Sequence, residues 1–489
     1  MANTDCVGVR VFSLNCWGIR YLSKHCSQRY QMIGQMLCKE QHDIVLLQEV
    51  WSEKDFLYLK TKLASTHPHS HYFKSGVIGS GLAILSKHRI HDTFLYRYSL
   101  NGYPYMAHHG DWFGGKAVGM AVLNLAGLTA NVYVTHLHAE YSREKDSYLS
   151  HRVVQAWELQ QFIRHTSTGA DVVIVGGDLN MHPQDLGCRL LMSYTGLRDC
   201  YVETAKFDGC ENGMTLIADN PFIRGGDLNM HPQDLGCRLL MSYTGLRDSY
   251  VETAKFDGCE NGMTLIADNL FINKNELIPF EKGIRIDYIL FKGSSKASVY
   301  CDFMSTTKGS VPGHALPYSD HEALTAELRL ESHIPAQTGS DKTQDTPAEK
   351  LAELVDTLTE ARTEVKVGLH CAERMRYTAA RTGVMGLALL FLELAIAAVP
   401  CFALGAEQPF PRISFYLLAA LCFAILLTTF LLYIFYTMEL KSLQGAEDQM
   451  RLAVGSLQEK LRGFPVAQPH NVPLRSPEGQ QPSALDPEE

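Results

Sequence analysis

The chain has 489 residues, 46% of them hydrophobic, and a mean hydropathy of −0.08, which is typical of a globular protein with some membrane segments. The formal net charge of −9 does not favour a nucleic-acid-binding function, which usually needs a basic surplus, so we expect no nucleic-acid partner. The thirteen cysteines form no CxxC pair, and the amino terminus has no signal-peptide pattern. We therefore expect the amino-terminal domain to lie in a reducing, cytosolic setting.

Residues 1–331 alternate short apolar runs with amphipathic stretches, which is typical of a layered α/β domain. The strand candidates are rich in Val, Ile, Leu and Tyr and are bounded by turn residues: 9–15, 43–50, 81–87, 132–138, 171–180 and 284–292. The run 151–165 has helical periodicity. The pattern predicts that residues 1–331 form one α/β domain, the catalytic domain, in which helices cover sheets.

Two long apolar runs, 383–404 and 413–436, follow this domain. Each is long enough to cross a hydrocarbon layer of about 30 Å, and the short connector predicts a transmembrane helical hairpin. Basic residues flank the outer ends of the two spans: Arg374, Arg376, Arg381, Lys441 and Arg451. By the positive-inside rule we expect both termini in the cytosol, with the endoplasmic reticulum or another internal membrane as the location.

The segments around the spans are predicted from composition. Residues 332–348 are a polar linker, 349–382 a juxtamembrane helix, 437–463 a cytosolic helix and 464–489 a Pro-rich, disordered tail. Glu393 lies in the middle of the first span, where we favour a protonated or helix-paired carboxylate over an intramembrane site.

Residues 176–224 recur as 225–273 with three differences: Cys200 against Ser249, Pro221 against Leu270, and Arg224 against Asn273. Two copies without atypical caps do not make a solenoid. The identity indicates a very recent tandem duplication or an error in assembling the coding sequence.

The two copies differ in what precedes them. The first GGDLN follows the apolar run DVVIV, whereas the second follows a segment in which Pro221 and Arg224 disfavour a strand. We therefore predict that Asp178, and not Asp227, stands at a strand end, and that one 49-residue stretch between Asn180 and Asn269 loops out. Either copy could supply the following helix, and we expect the tail of the second copy to join the core.

Polar side chains stand at the ends of the apolar runs: Asn15, Glu49, His136, Asp178, Asn180, Asp287, Asp320 and His321. One such carboxylate has an ordinary explanation, since Asp178 could cap a helix that starts near Pro183. Eight groups in one type of position indicate a site. Hard oxygen ligands suit Mg²⁺, and the histidines suit proton transfer and phosphate contact.

Six motifs resemble the endonuclease/exonuclease/phosphatase superfamily: LNCWG at 14–18, LLQEVW at 46–51, VTHLHAEY at 134–141, GGDLN at 176–180, RIDYIL at 285–290 and SDHEAL at 319–324. The segment 101–119 and the membrane hairpin resemble the mammalian-type neutral sphingomyelinases in particular. This resemblance implies a four-layer αββα sandwich of the DNase-I-like type. It also implies a Mg²⁺ cofactor bound by Glu49, with Asn15 beside it and Asp320 in support.

The resemblance further implies the catalytic roles. His321 would be the general base that takes a proton from water, oriented by Asp287. Asp178 and Asn180 would position the water and contact the phosphate, and His136 would stabilise the phosphoryl charge. Most of the catalysis would then be positioning and electrostatics.

Substrate contacts are expected from Lys116, which could pair with phosphate or lie on the surface, and from Tyr105 and Trp112. These two aromatic residues, with Tyr103 and Phe113, are candidates for membrane contact or choline binding, with core packing as the alternative.

The implied reaction is the Mg²⁺-dependent hydrolysis of sphingomyelin to ceramide and phosphocholine, with sphingomyelin, other choline phospholipids and the bilayer as partners. Three alternatives stay open. The first is a phospholipase C acting on lysophospholipids such as lyso-PAF or lysophosphatidylcholine, and the second is a nuclease or phosphoinositide phosphatase. The third is a non-enzymatic membrane protein, if the duplication disrupts the fold.

Overall fold

The structure is a computed structural model. It describes residues 6–19, 23–106, 109–141, 146–208, 216–217, 283–307, 311, 314, 316–333, 348–403 and 412–462. The second copy of the repeat, with Asp227, lies outside the described residues, and so do most of the predicted linker and the predicted tail.

The described strands are β1 (Cys6–Asn15), β2 (Ile44–Gln48), β3 (His69–Phe73), β4 (Leu82–Ser86), β5 (Ile90–Arg97), β6 (Ala117–Leu125), β7 (Leu128–His136), β8 (Val172–Asp178), β9 (Arg198–Asp199), β10 (Phe207–Asp208), β11 (Leu216–Ile217), β12 (Gly283–Ile284), β13 (Asp287–Gly293), β14 (Ala297–Thr306) and β15 (Leu324–Ser332). The described helices are α1 (Cys26–Glu40), α2 (Glu53–Lys62), α3 (Asp111–Gly114), α4 (Leu149–Thr166), α5 (Leu186–Thr195), α6 (Cys200–Glu203), α7 (Ala348–Ala403) and α8 (Arg412–Arg462).

Two large sheets form the centre of the domain. The first has the strand order β10-β14-β15-β1-β2-β4-β3, and the second has the order β5-β6-β7-β8-β13-β9. Within them β1 pairs with β2 in parallel, and β7 pairs with β8 in parallel. The carboxyl ends of these four strands therefore meet at one edge of the two sheets, which is where ligands bind in many α/β proteins.

The main core lies between the two sheets, because apolar side chains of both sheets, such as Val11, Leu46, Val134 and Ile174, are fully buried in one cluster. Helices α1 and α2 cover the outer face of the first sheet. Helices α4 and α5 cover the outer face of the second. This order of helix, sheet, sheet and helix confirms the predicted αββα sandwich.

The two long helices α7 and α8 extend the sandwich. Their polar halves pack on the outer surface of α4 and α5, where Trp157 Nε1 donates to Gln449 Oε1 at 2.9 Å and Arg189 pairs with Glu360 at 2.6 Å. Their apolar halves contain the predicted spans, and both helices are long and apolar enough to cross a membrane. Glu393 lies against Cys422 of the facing helix, in agreement with the interpretation that the second helix covers it.

Several elements were missed by the sequence analysis: β3, β5, β6, β14, β15, α1 and α2. Strand β5 shows the reason, since its burial does not alternate cleanly and Phe94 is exposed. A strand at the edge of a sheet has one unpaired side and is only partly buried. Its residues therefore need not alternate between apolar and polar, and the sequence pattern of a strand is weak.

The first copy of the repeat supplies the last three residues of β8 and the elements from α5 to β11. Helix α5 begins at Leu186 behind Asp185, so the interpretation of Asp178 as the cap of a helix near Pro183 is wrong. Strand β11 of the first copy pairs with β12. The tail of the second copy, which we expected in the core, lies outside the described residues.

Candidate active site

The eight predicted site residues approach one another at the carboxyl edge of the sheets. Asn15 ends β1, Glu49 directly follows β2, and His136 and Asp178 end the parallel neighbours β7 and β8. Strand β13 runs antiparallel to β8 and starts at Asp287, which pairs with Asp178 in the ladder. The topology therefore places groups from distant parts of the chain side by side.

Asn15 stands at the centre of this cluster. Its amide nitrogen donates to Glu49 Oε1 at 3.1 Å and to Asp178 Oδ2 at 2.9 Å, and it lies 3.5 Å from His321 Nε2. Its carbonyl oxygen accepts from the backbone N–H of Trp17 at 3.0 Å. In this arrangement Asn15 bridges two carboxylates with its nitrogen, and its role as an oxygen ligand of a metal stays a prediction.

His321 and Asp287 form a buried pair. His321 Nδ1 lies 2.8 Å from Asp287 Oδ2, which leaves Nε2 facing Asp178 at 3.9 Å. Burial lowers the pKa of His321, but the carboxylates of Asp287, Asp320 and Asp178 raise this pKa well above its ordinary value. The pair has the geometry of a base whose ring is oriented by a carboxylate.

Asp178 lies at the meeting point of the two sheets. Burial and the neighbouring Asp287 raise the pKa of Asp178 to about 7. Its Oδ1 accepts from the backbone N–H of Asn180, whose side chain donates to the carbonyl of Leu137 at 3.0 Å. Gly177, one residue earlier, has φ +148, and a Cβ there would lie 2.0 Å from Thr135 O, so only glycine fits this turn of the GGDLN motif.

His136 is paired with a lysine. Lys116 Nζ lies 2.8 Å from His136 Nε2 and also donates to the carbonyl of Leu137. Burial and this ammonium group lower the pKa of His136 well below its ordinary value, so the ring is neutral and Nε2 accepts from Lys116. Lys116 is buried, and the alternative that it lies on the surface is wrong.

Glu49 is held in a strained backbone conformation. Its φ is +55, which non-glycine residues adopt rarely, and its Oε2 accepts from Trp51 Nε1 at 3.2 Å. Asp320 completes this side of the site, accepting from Ser319 Oγ at 3.0 Å. Burial raises the pKa of Asp320 to about 6.

A second polar layer, which the sequence analysis did not assign, supports the first. Asp111 binds Lys116 Nζ at 2.9 Å, accepts from Tyr141 OH at 2.5 Å, and lies 3.6 Å from His138 Nε2. Burial by itself raises the pKa of Asp111, but the neighbouring His138 and Lys116 lower this pKa far below its usual range. The sequence offered one indication of this layer, because Asp111 stands five positions before Lys116 inside the motif at 101–119.

Two of the predicted substrate contacts, Tyr105 and Trp112, pack against neighbouring aromatic rings. Tyr105 is half exposed and stacks on Tyr103, next to Tyr436 of α8. Trp112 lies on α3 and packs edge-to-face against Phe113. Their substrate contacts stay predictions.

A divalent cation fits the donor set of this site. Asp178, Asp287 and His321 can bring one ligand atom each to within 4.8 Å of the others, and Glu49 adds a carboxylate linked through Asn15. Because Asp287 is engaged with His321 Nδ1, we favour Glu49 and Asp178 as the carboxylates of the metal side. This donor set suits a divalent cation in general and does not select Mg²⁺, because oxygen ligands bind several divalent ions.

The facing sheets have the arrangement of the DNase-I-like fold, and the His–Asp pair with the convergent carboxylates suits a hydrolase of phosphoric diesters. Comparison with known proteins agrees with this class. The Endonuclease/Exonuclease/phosphatase family matches residues 12–321.

Sphingomyelin phosphodiesterase 2 of Mus musculus is 46% identical over 393 residues, which cover 80% of this chain and 81% of the mouse chain. Its counterpart in Homo sapiens is 42% identical over 461 residues, 94% of this chain and 95% of the human one. An inositol phosphosphingolipids phospholipase C of Schizosaccharomyces pombe is 38% identical over 195 residues, 40% of this chain and 46% of the yeast one. The chain belongs to the endonuclease/exonuclease/phosphatase family, in the branch of the sphingomyelin phosphodiesterases, which confirms the resemblance read from its motifs.

Proposed function

We propose that the protein hydrolyses sphingomyelin to ceramide and phosphocholine in a Mg²⁺-dependent, phospholipase C-type reaction at the cytosolic face of a membrane. The observation that carries this proposal is the buried cluster in which Asn15 joins Glu49 to Asp178 beside the His321–Asp287 pair. The printed names of the mouse and human relatives support sphingomyelin as the substrate.

His321 acts as the general base. Its Nε2 takes the proton of the attacking water, whose oxygen bonds to phosphorus as the bond to the ceramide oxygen breaks. Asp287 fixes the ring through Nδ1 and stabilises the imidazolium that forms. A base must be neutral before it acts, whereas the carboxylates of Asp287, Asp320 and Asp178 favour the charged ring of His321. A cation held beside Asp178 would oppose this effect and lower the pKa of His321.

Asp178 and Asn180 orient the water and the phosphate. Asp178 lies on the Nε2 side of the His321 ring, whereas Asp287 lies on its Nδ1 side. The backbone N–H of Asn180 fixes Asp178 Oδ1, which leaves Oδ2 turned toward Asn15, His136 and His321. This fixed orientation reduces the reorganisation needed to reach the transition state.

The phosphoryl charge is met by the buried His136–Lys116 pair. Because the ring of His136 is neutral, the positive charge of the pair resides on Lys116 Nζ, which Asp111 holds in place. A buried ammonium group interacts with a phosphoryl oxygen more strongly than an exposed one.

Glu49 and Asp178 would hold Mg²⁺, with Asn15 and Asp320 in support. When bound, the ion supplies Lewis-acid polarisation of the phosphoryl group and neutralises charge on the leaving oxygen. The apolar halves of α7 and α8 anchor the chain in the bilayer, and the basic residues beyond the spans favour the cytosolic side for the catalytic domain.

A lipid panel tests this function. The full chain in detergent, with and without Mg²⁺, is assayed for phosphocholine release from sphingomyelin and from lysophosphatidylcholine and lyso-PAF. We expect sphingomyelin cleavage that requires Mg²⁺ and that Glu49→Ala and His321→Ala each lower by roughly two to four orders of magnitude. Substantial residual turnover in either variant, or preference for a lysophospholipid, would refute the proposal.

A further inference from the structure

A short loop beside the active site carries apolar side chains into solvent. The 75–81 loop makes up most of the connection between β3 and β4, and at its tip Val77 is 79% exposed and Ile78 is 55% exposed. Single exposed apolar residues are common, but two adjacent aliphatic residues projecting from a glycine-rich tip form a small apolar patch with no role in the sandwich core.

The base of this loop is attached to the active site. A Cβ at Gly76 would lie 2.8 Å from the Cα of Gly115, so this close approach requires glycine. The backbone N–H groups of Val77 and Ile78 both donate to Phe113 O at 3.1 Å. At its other end, Gly81 O accepts from the N–H of Val50, the residue after Glu49.

Trp51 connects the loop to the metal side of the site. A Cβ at Gly81 would lie 3.2 Å from the Trp51 ring, and one at Gly114 would lie 3.1 Å from it. Trp51 is therefore sandwiched between the 75–81 loop and α3, while its Nε1 donates to Glu49. A displacement of the loop would reach Glu49 through this ring.

The same edge of the domain approaches the membrane end of α8. Tyr103 lies 6.1 Å from Phe435 between ring centroids, and Tyr105 lies 6.3 Å from Tyr436. Phe435 and Tyr436 are at the end of the predicted span, where aromatic residues are enriched at membrane interfaces. The described residues 103–106 and 109–110 precede α3 in the chain, and the 75–81 loop rests on α3 through its hydrogen bonds to Phe113 O.

We infer that the 75–81 loop is a second membrane contact, which inserts Val77 and Ile78 into the leaflet that the catalytic domain faces. This inference rests on the proposed lipid substrate and adds the way in which the site meets it. The occupant of the apolar tip is the bilayer, because the loop rests on α3 and the aromatic residues Tyr103 and Tyr105, which precede α3 in the chain, contact Phe435 and Tyr436 at the end of the membrane hairpin. The hairpin fixes the domain on one side of the site, and the loop fixes it on the other.

Lipid contact is measured directly by photocrosslinking. The full chain, carrying p-benzoylphenylalanine at position 77, is reconstituted in vesicles of phosphatidylcholine and sphingomyelin, irradiated, and analysed for lipid adducts. Leu452 provides the matched control, since it is 72% exposed but lies about 24 Å along α8 from Tyr436 at 1.5 Å per residue. We expect lipid adducts from position 77 and none above background from position 452.

Activity supplies the second measurement. The double substitution Val77→Asp and Ile78→Asp is compared with Leu452→Asp on long-chain sphingomyelin in vesicles and on a short-chain, water-soluble analogue. We expect the double variant to lose about tenfold or more in turnover of vesicle substrate, because two aliphatic side chains no longer enter the bilayer. Its turnover of the soluble analogue, and both activities of Leu452→Asp, should stay near those of the parent.

These outcomes separate this inference from the proposed function. Absence of adducts at position 77, or equal losses on the vesicle and soluble substrates, would overturn the membrane contact. Adducts at position 77 in a chain that cleaves neither form of sphingomyelin would support the contact and refute the function.

Discussion

At the scale of single residues, the site depends on side chains that fix the orientation of neighbouring functional side chains. Asn15 bridges Glu49 and Asp178, Asp287 orients His321, and Asp111 fixes Lys116. The sequence analysis found the strand-end residues because acids and amides there are costly unless they have a function. It did not find Asp111, since that residue follows no apolar strand and its partner His138 comes from another segment.

The duplication provides an internal control for Asp178. Asp178 and Asp227 stand in identical GGDLN motifs, but Asp178 ends β8 and contacts Asn15. We predict that Asp178→Ala lowers phosphocholine release by roughly two orders of magnitude or more, while Asp227→Ala leaves it nearly normal. Steady-state assays of both variants check this, and equal effects would show that strand context does not select the copy.

Asp287 should set the pH dependence of the base. Because its carboxylate raises the pKa of His321, Asp287→Asn should lower that pKa and shift the acid limb of the profile of kcat/KM to lower pH. We also expect kcat to fall by roughly tenfold or more, since a weaker base is less efficient. The control is Asp302→Asn, the same substitution at an exposed carboxylate on β14. An unchanged acid limb in Asp287→Asn would contradict the role of the pair.

At the scale of elements, α8 connects the membrane hairpin to the catalytic domain by a buried polar contact. Glu439 Oε1 lies 3.0 Å from His151 Nε2, and the other ring nitrogen of His151 accepts from the backbone N–H of Gly102 at 3.2 Å. Gly102 begins the segment that contains Tyr103 and Tyr105. The helix thus fixes the loop that leads to α3, which no periodicity in the sequence could indicate.

Glu439→Ala should therefore loosen the docking of α8. It leaves His151 buried without its acceptor, and we expect a loss of about 1–3 kcal/mol in the free energy of unfolding of the catalytic domain. Thermal unfolding of the full chain in detergent measures this, with Glu439→Gln as the variant that keeps a hydrogen-bonding side chain of the same shape. Equal midpoints for the Ala variant and the parent would show that the contact does not stabilise the docked helix.

At the scale of the whole molecule, the described fold draws on the first copy of the repeat, while the second copy lies outside the described residues. The first copy supplies the end of β8 and all of α5, β9, α6, β10 and β11, and β11 pairs with β12 beyond the second copy. An insertion between two paired strands adds little loop-closure free energy, which grows only with the logarithm of length. The alternative that the duplication abolishes the enzyme therefore has no support in the described part of the chain.

Deletion of 225–273 should retain or raise the activity and the midpoint of thermal unfolding. Deletion of 176–224 is the matched control, because it places the second GGDLN directly behind DVVIV and yields a chain that differs from the first deletion only at Cys200/Ser249, Pro221/Leu270 and Arg224/Asn273. We expect both chains to be active, since the strand and not the copy determines the site. An inactive pair would show that the duplicated residues are required.

The sequence by itself determined a layered α/β domain, the two apolar helices and the set of strand-end residues, because strand runs, span length and buried charge leave local signals. The αββα order was expected only from the resemblance of the six motifs to a known family. Only the tertiary structure decided which groups touch: Asn15 with Asp178, 163 positions apart, and His321 with Asp287. It also placed Lys116 inside the domain and the 75–81 loop against α3. The physical reason is that parallel strand pairing and helix docking join distant segments, and no local pattern of residues records these contacts.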